Sequence, residues 1–199
     1  STVSLRRDFT QRSSFTASGD FQYTDRRQES VLWQDASGYW LHGEYARNDS
    51  RNPPITTQYG YRSRGTGYVN ELQTTEHTLD FGVNHSRSLS ASRRVSLGFR
   101  VGASAADVPI EGTTVMTRQY LGNASVDFEY EFQRTWRARA NYRRGIEYVT
   151  DIPEPVYADS VGMGIDGFLT RRVDFTVSAG YSAGDSIVDS SALKYDTYT

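Results

Sequence analysis

Asp127, Glu129 and Glu131 occupy every second position before Gln133-Arg134-Thr135, and Arg137, Arg139, Asn141 and Arg143 every second position after it. If Phe132 faces Trp136 across a hairpin, Glu131 stands opposite Arg137, Glu129 opposite Arg139 and Asp127 opposite Asn141, all on one face. Such an acid–base ladder has two compatible uses. On the wall of a polar interior it sets up a transverse field that orients and selects polar solutes, as charged rings do. It also fixes strand register, each pair contributing roughly 0.2–1 kcal/mol. By the same parity Arg6, Asp8, Asp20, Arg62, Asp80, Arg100, Asp166 and Asp174 share the polar face, and the mixed signs give no bias toward anions or cations.

Other chemistries are poorly provided for. Histidine occurs only as His42, His77 and His85. His77 lies near Glu71 and Glu76, the one place where a hydrolytic site is conceivable, whereas His42 shares parity with Glu44 and His85 falls on the apolar face. Without a matching motif all three read as ordinary polar residues, and no catalytic role is expected. Asp185, Asp189 and Asp196 match no calcium-loop spacing and read as solvated loop carboxylates. Gly65-Thr-Gly67 and Gly162-Met-Gly164 precede no helix, so neither is a phosphate loop. No cofactor or metal is expected.

The elements that must position the charges follow from alternation. Tyr120, Gly122, Ala124, Val126, Phe128, Tyr130 and Phe132 interleave with polar residues, and Trp136, Ala138, Ala140 and Tyr142 resume the pattern. A period of two kept over about a dozen residues on both sides of a short turn is a long hairpin. The unit recurs along the chain and predicts strands over 1–9, 15–25, 38–47, 55–64, 77–88, 94–104, 117–132, 135–149, 156–169, 173–184 and 193–199. Short turns near 10–14, 47–54, 89–94, 133–135 and 170–172 alternate with longer polar connections. No linker divides the 199 residues, so 1–199 is expected to be one domain.

Composition narrows the class. With 22 Lys+Arg against 24 Asp+Glu there is no basic excess to neutralise phosphates, which argues against nucleic acid. The absence of cysteine removes disulfide frameworks and thiolate metal sites. No apolar run approaches the ~18 residues of a membrane-crossing helix. The 14 Tyr, 9 Phe, 3 Trp and 17 Gly favour β structure, while the near-exclusive use of Arg over Lys194 carries little functional weight.

Strand length and aromatic placement then separate a soluble sandwich from a membrane barrel. The strands around Gln133 are about twice the usual ~5–6 residues and suit the ~9–11 that cross a bilayer at a tilt. Phe15, Phe132 and Trp136 flank short turns, whereas Tyr23, Tyr120, Tyr148 and Tyr181 lie toward the other ends of the same face. From Phe15 to Tyr23 this spans roughly 21 Å, close to the ~25 Å apolar band of outer-membrane barrels. With turns such as Leu169-Thr-Arg-Arg-Val173 and Phe132-Gln-Arg-Thr-Trp136, the chain resembles a Gram-negative outer-membrane β-barrel of porin-like architecture. The resemblance implies an all-β, antiparallel, up-and-down transmembrane barrel of about 12 strands, about 11 of them in this chain. The ending Lys194-Tyr-Asp-Thr-Tyr-Thr199 looks like the beginning of a strand, so further residues are expected in the mature protein. It further implies a bacterial outer-membrane location after signal-peptide removal and contact with outer-membrane lipid and lipopolysaccharide. Partners would be further copies of the chain or other outer-membrane assembly subunits. The implied function is porin-like passage of small polar solutes, with the alternative of a closed structural or interaction barrel acting through its loops.

Overall fold

A computed structural model describes residues 2–24, 36–51, 54–68, 74–109, 115–132, 135–147, 155–170, 173–187 and 194–198. Eleven strands account for nearly all of them: β1 (Thr2–Thr10), β2 (Ser13–Thr24), β3 (Ala36–Arg51), β4 (Pro54–Tyr68), β5 (Thr74–Ser90), β6 (Arg93–Pro109), β7 (Met116–Phe132), β8 (Trp136–Glu147), β9 (Val156–Thr170), β10 (Val173–Ser186) and β11 (Lys194–Tyr198). They form one antiparallel up-and-down sheet in sequence order, with no helix among the described residues.

The elements match the alternation, and most run longer than it predicts. β5 and β6 continue to Thr74 and Pro109, past the expected 77 and 104, because the backbone ladder persists through Thr75↔Asp107 after the apolar pattern has faded. The short turns are tighter than expected. Thr10 pairs with Ser13, Arg51 with Pro54, Ser90 with Arg93 and Thr170 with Val173. Each of these pairings is reached through a register shift, so one residue of the incoming strand is left over, as in a β-bulge. In three of the four hairpins that residue is a large apolar one: Phe9, Leu89 and Leu169. Hydroxyl groups close two of these turns, with the Arg12 amide donating to Thr10 Oγ1 at 3.1 Å and the Ser92 amide to Ser90 Oγ at 3.3 Å.

The sheet is apolar on one face and polar on the other, and the polar face is the sheltered one. Along β5, Glu76, Thr78 and Asp80 are buried while the intervening Leu79 is 65% exposed. Polar side chains three strands apart touch, as Arg100 of β6 and Glu44 of β3 do, so the polar face is concave. At the edge all nine residues of β1 are exposed.

Registers accumulate a stagger. Cross-strand partners run from Arg7 through Phe15, Tyr45, Tyr59, Phe81, Val101 and Ala124 to Arg144. The path starts beside a short turn and ends at the far end of β8, so the strands are inclined to any common axis, as barrel shear requires.

Candidate functional site

The concave face is organised around Asp80. Its cross-strand neighbours are Gly60 on β4 and Gly102 on β6, and its side chain is 1% exposed. A Cβ at Gly60 would stand 2.6 Å from Asp80 Oδ1, so the glycine is what lets the carboxylate lie across the neighbouring strand. Arg100 Nη1 approaches Oδ1 at 3.3 Å and Arg62 Nη2 approaches Oδ2 at 3.7 Å. Neither oxygen has a well-formed hydrogen bond, so charge balances this carboxylate. Arg100 Nη2 also donates to Glu44 Oε2 at 3.2 Å and to Gln58 Oε1 at 3.1 Å. Gln58 Nε2 in turn donates to Glu44 Oε1 at 3.2 Å, and Asn84 Nδ2 donates to Gln58 Oε1 at 2.6 Å. Toward the long connections Glu76 Oε1 accepts from Thr78 and Ser104, and Asn123 Nδ2 donates to Ser104, carrying the network to β7.

The ladder about residue 133 has the expected register, with Phe132↔Trp136, Glu131↔Arg137, Glu129↔Arg139 and Asp127↔Asn141. The ion pairs run elsewhere. Asp166 on β9 stands directly opposite Arg137, and both Arg137, at 3.3 Å, and Arg139 turn to it. Only a diagonal contact returns to β7, from Arg137 to Glu129 at 3.8 Å. A carboxylate on the far side of β8, invisible to a two-strand argument, captures both arginines. Asp174 lies at the short-turn end of β10 opposite Phe168, exposed.

Two adjoining cavities lie on the concave face beside β7 and β8. The one nearer the short turns, about 580 Å³, is lined by Asn84, Ser96, Glu129, Arg139 and Asn141 among others. The one nearer the long connections, about 430 Å³, is lined by Arg62, Glu76, Arg100, Ser125 and Glu147 among others. Asp127 and Arg143 line both. Beyond the second cavity Ile187 packs on Ala106 and Val108 with Leu121 alongside, and Gln119 Nε2 donates to the Ile187 carbonyl at 2.6 Å. This apolar cluster sits on the concave face, at the end where Val156 and Ala158 are also buried.

No protein family, curated protein or solved structure matches this chain.

The remaining sequence candidates are dispersed. His77 is exposed on the apolar face, its Nδ1 2.8 Å from the Tyr61 hydroxyl and its ring stacked on that tyrosine, so it does not meet Glu76, which points the other way. Glu71, Asp189 and Tyr148 lie outside the described residues. Asp185 and Asp196 both take the convex parity, and among the described residues no three His, Asp or Glu side chains gather to hold a metal. Of the aromatic positions, Phe15, Tyr120 and Tyr181 are exposed on the convex face. Phe132 stacks on Trp136 at 6.3 Å between ring centres, and Trp136 packs on Phe175 at 5.9 Å. Tyr23 falls on the same face by register. Sequence parity placed Asp80, Glu44 and Arg100 on one face but gave no sign of their convergence. The flanking Gly60 and Gly102 are the feature that could have marked it.

Proposed function

We propose that this chain forms the wall of a transmembrane β-barrel in a bacterial outer membrane and passes small polar solutes along its Arg-, Asp- and Glu-lined concave face. The observation that carries the reading is the inverted partition of charge. On the convex face, among the described side chains, Arg7, Arg47 and Arg87 mark the short-turn level. Asp107 with Arg118, Arg144 with Asp159, and Asp185 mark the opposite level. Between them β2, β4, β6 and β7 present only apolar, aromatic, small or hydroxyl side chains. From Val95 to Ala105 this belt is ten residue steps, about 26 Å high at ~3.4 Å per step and a ~40° tilt, which matches a hydrocarbon band of about 25 Å. Water offers no reason to expose Val3, Leu5, Leu79 and Tyr120 while burying Asp80; lipid does. The accumulated stagger of the registers is what closure into a barrel needs, with outer-membrane lipid and lipopolysaccharide against the belt.

One observation favours a second reading, in which the interior is closed and the protein serves as a structural or interaction barrel, alone or with other assembly subunits. It is the cluster of Ile187, Val108 and Ala106 across the concave face. Single-channel recording of the detergent-purified, full-length protein in a planar bilayer separates the two. Discrete, reproducible conductance steps are expected. Silence from protein shown to be folded by a heat-dependent shift in gel mobility would overturn passage and leave the closed barrel.

A further inference from the structure

Most charges on the concave face are spent on one another. Arg62, Arg100, Asp80 and Glu44 form one balanced group, and Arg137, Arg139, Asp166 and Glu129 another. Asp127 and Arg143 stand between these groups and belong to neither. Both are exposed to the interior, and neither makes an ion pair or hydrogen bond with a described residue. Asp127 faces Asn141 and Arg143 faces Ser125, so the two charges are diagonal neighbours on adjacent strands, with backbones about 7–8 Å apart. They are also the two charged residues common to the two cavities.

We infer that Asp127 and Arg143 form a dipolar recognition site for small zwitterions, amino acids or very short peptides, at the junction of the two cavities. The inference rests on the channel reading above and names its solute class. An unspent carboxylate and an unspent guanidinium, side by side and opposite in sign, attract the ammonium and carboxylate of one compact solute together. A simple cation meets Arg143 repulsion and a simple anion meets Asp127 repulsion, so the pair discriminates by the arrangement of charge and not by its sum. The nearest arginines, Arg62, Arg100 and Arg139, are taken up by Asp80, Glu44 and Asp166, and Glu76 and Glu147 of the second cavity are held by hydroxyl groups, which leaves Arg143 as the unspent cation beside Asp127.

The test is liposome swelling with the full-length protein, comparing glutamine with arabinose, which have nearly equal mass and differ in charge separation. Glutamine is expected to enter roughly five-fold faster, the effect of about one ordinary hydrogen bond of net stabilisation at the junction. Asp127→Asn and Arg143→Gln should each bring the ratio to about one. Neither side chain holds another in place, so folding, checked by gel mobility, is expected to survive. As a second measurement, Asp127→Asn should move the reversal potential in a salt gradient toward anion selectivity and Arg143→Gln toward cation selectivity. Equal entry of the two solutes in the wild type, or variants that leave both ratio and reversal potential unmoved, would overturn this inference while the channel stands. Entry of neither solute overturns both.

Discussion

Replacing Arg100 with methionine tests the network around Asp80 most directly, because the structure fixes what each partner is left with. Methionine keeps the length and apolar stem of the side chain and removes the charge. Asp80, whose side chain is 1% exposed, then retains only Arg62 at 3.7 Å, and Glu44 keeps Gln58 alone. Breaking a fully buried pair costs about 3–5 kcal/mol, mostly as the penalty of the orphaned charge. Arg100 itself is 29% exposed and Arg62 still screens one oxygen, which lowers the expected cost to about 2–3 kcal/mol. Asp80→Asn removes the orphan instead. The neutral amide needs no counter-charge, and Arg100 keeps Glu44 and Gln58, so about 1–2 kcal/mol is expected.

The decisive quantity is the double variant. With both charges gone no carboxylate is stranded at position 80, and Arg100→Met should add little to Asp80→Asn. The combined loss is expected near 2 kcal/mol, a coupling of about 1–3 kcal/mol. Urea unfolding of the refolded protein in detergent, followed by tryptophan fluorescence, reads all four corners of the cycle. Costs that add to within about 0.5 kcal/mol would refute the reasoning, since Asp80 would then be held by its glycine-lined slot and not by Arg100.

Four further outcomes follow from the same geometry. Gly102→Ala places a methyl group against the Leu79 carbonyl and 2.6 Å from Asn123 Oδ1, backbone on one side and the polar network on the other, and should cost about 1–3 kcal/mol in the same urea assay. Gly122→Ala on β7 meets nothing within 4 Å and is the expected neutral control. Val101→Arg, in the middle of the convex belt, should lower folding stability in lipid vesicles by about 2–4 kcal/mol, where an exposed position in water would change by about 0.5 or less; a neutral result would remove the lipid-facing belt. Asp166→Asn releases Arg137 and Arg139 together, so the reversal potential in a potassium chloride gradient should move toward anion selectivity; no movement would place those arginines outside the conducting path.

Much of this architecture is legible because the partition of apolar and polar faces is written with a period of two. Eleven strands, their order and the hairpin register at Phe132↔Trp136 all follow from alternation and turn length, which are properties of neighbouring residues in sequence. Strand ends were less legible, because Thr75 and Asp107 pair through their backbones with no apolar side chain to announce it. The one-residue bulges at Phe9, Leu89 and Leu169 were hidden for a related reason: an extra residue beside a turn changes a loop length without breaking the alternation on either side. The wiring of the polar face was the least legible part. Pairing Glu131 with Arg137 considers two strands, whereas Asp166 enters from a third. Arg100 meets Glu44 only because curvature gathers side chains from four strands.

That curvature also explains why glycine and aromatic residues are both abundant in one chain. On a concave wall the side chains converge, and a side chain that lies flat across the neighbouring strand needs a small residue opposite it. The sheet resolves this with glycine as the saddle for its partner: Asp80 lies over Gly60, Asn84 over Gly98 and Asn141 over Gly162, each with a side-chain oxygen 2.6–2.7 Å from where a Cβ would be. The convex face repeats the device with rings, Trp136 lying over Gly167 and Tyr39 over Gly65. A side chain laid flat over glycine gives up reach toward the interior and gains lateral contact with the next strand. Asp80 therefore speaks to Arg62 and Arg100 along the wall and leaves the space above it open. Polar groups saddled in this way line the concave face and leave room beside Asp127 and Arg143, where the solute proposed above would meet a carboxylate and a guanidinium with no partner among the described residues.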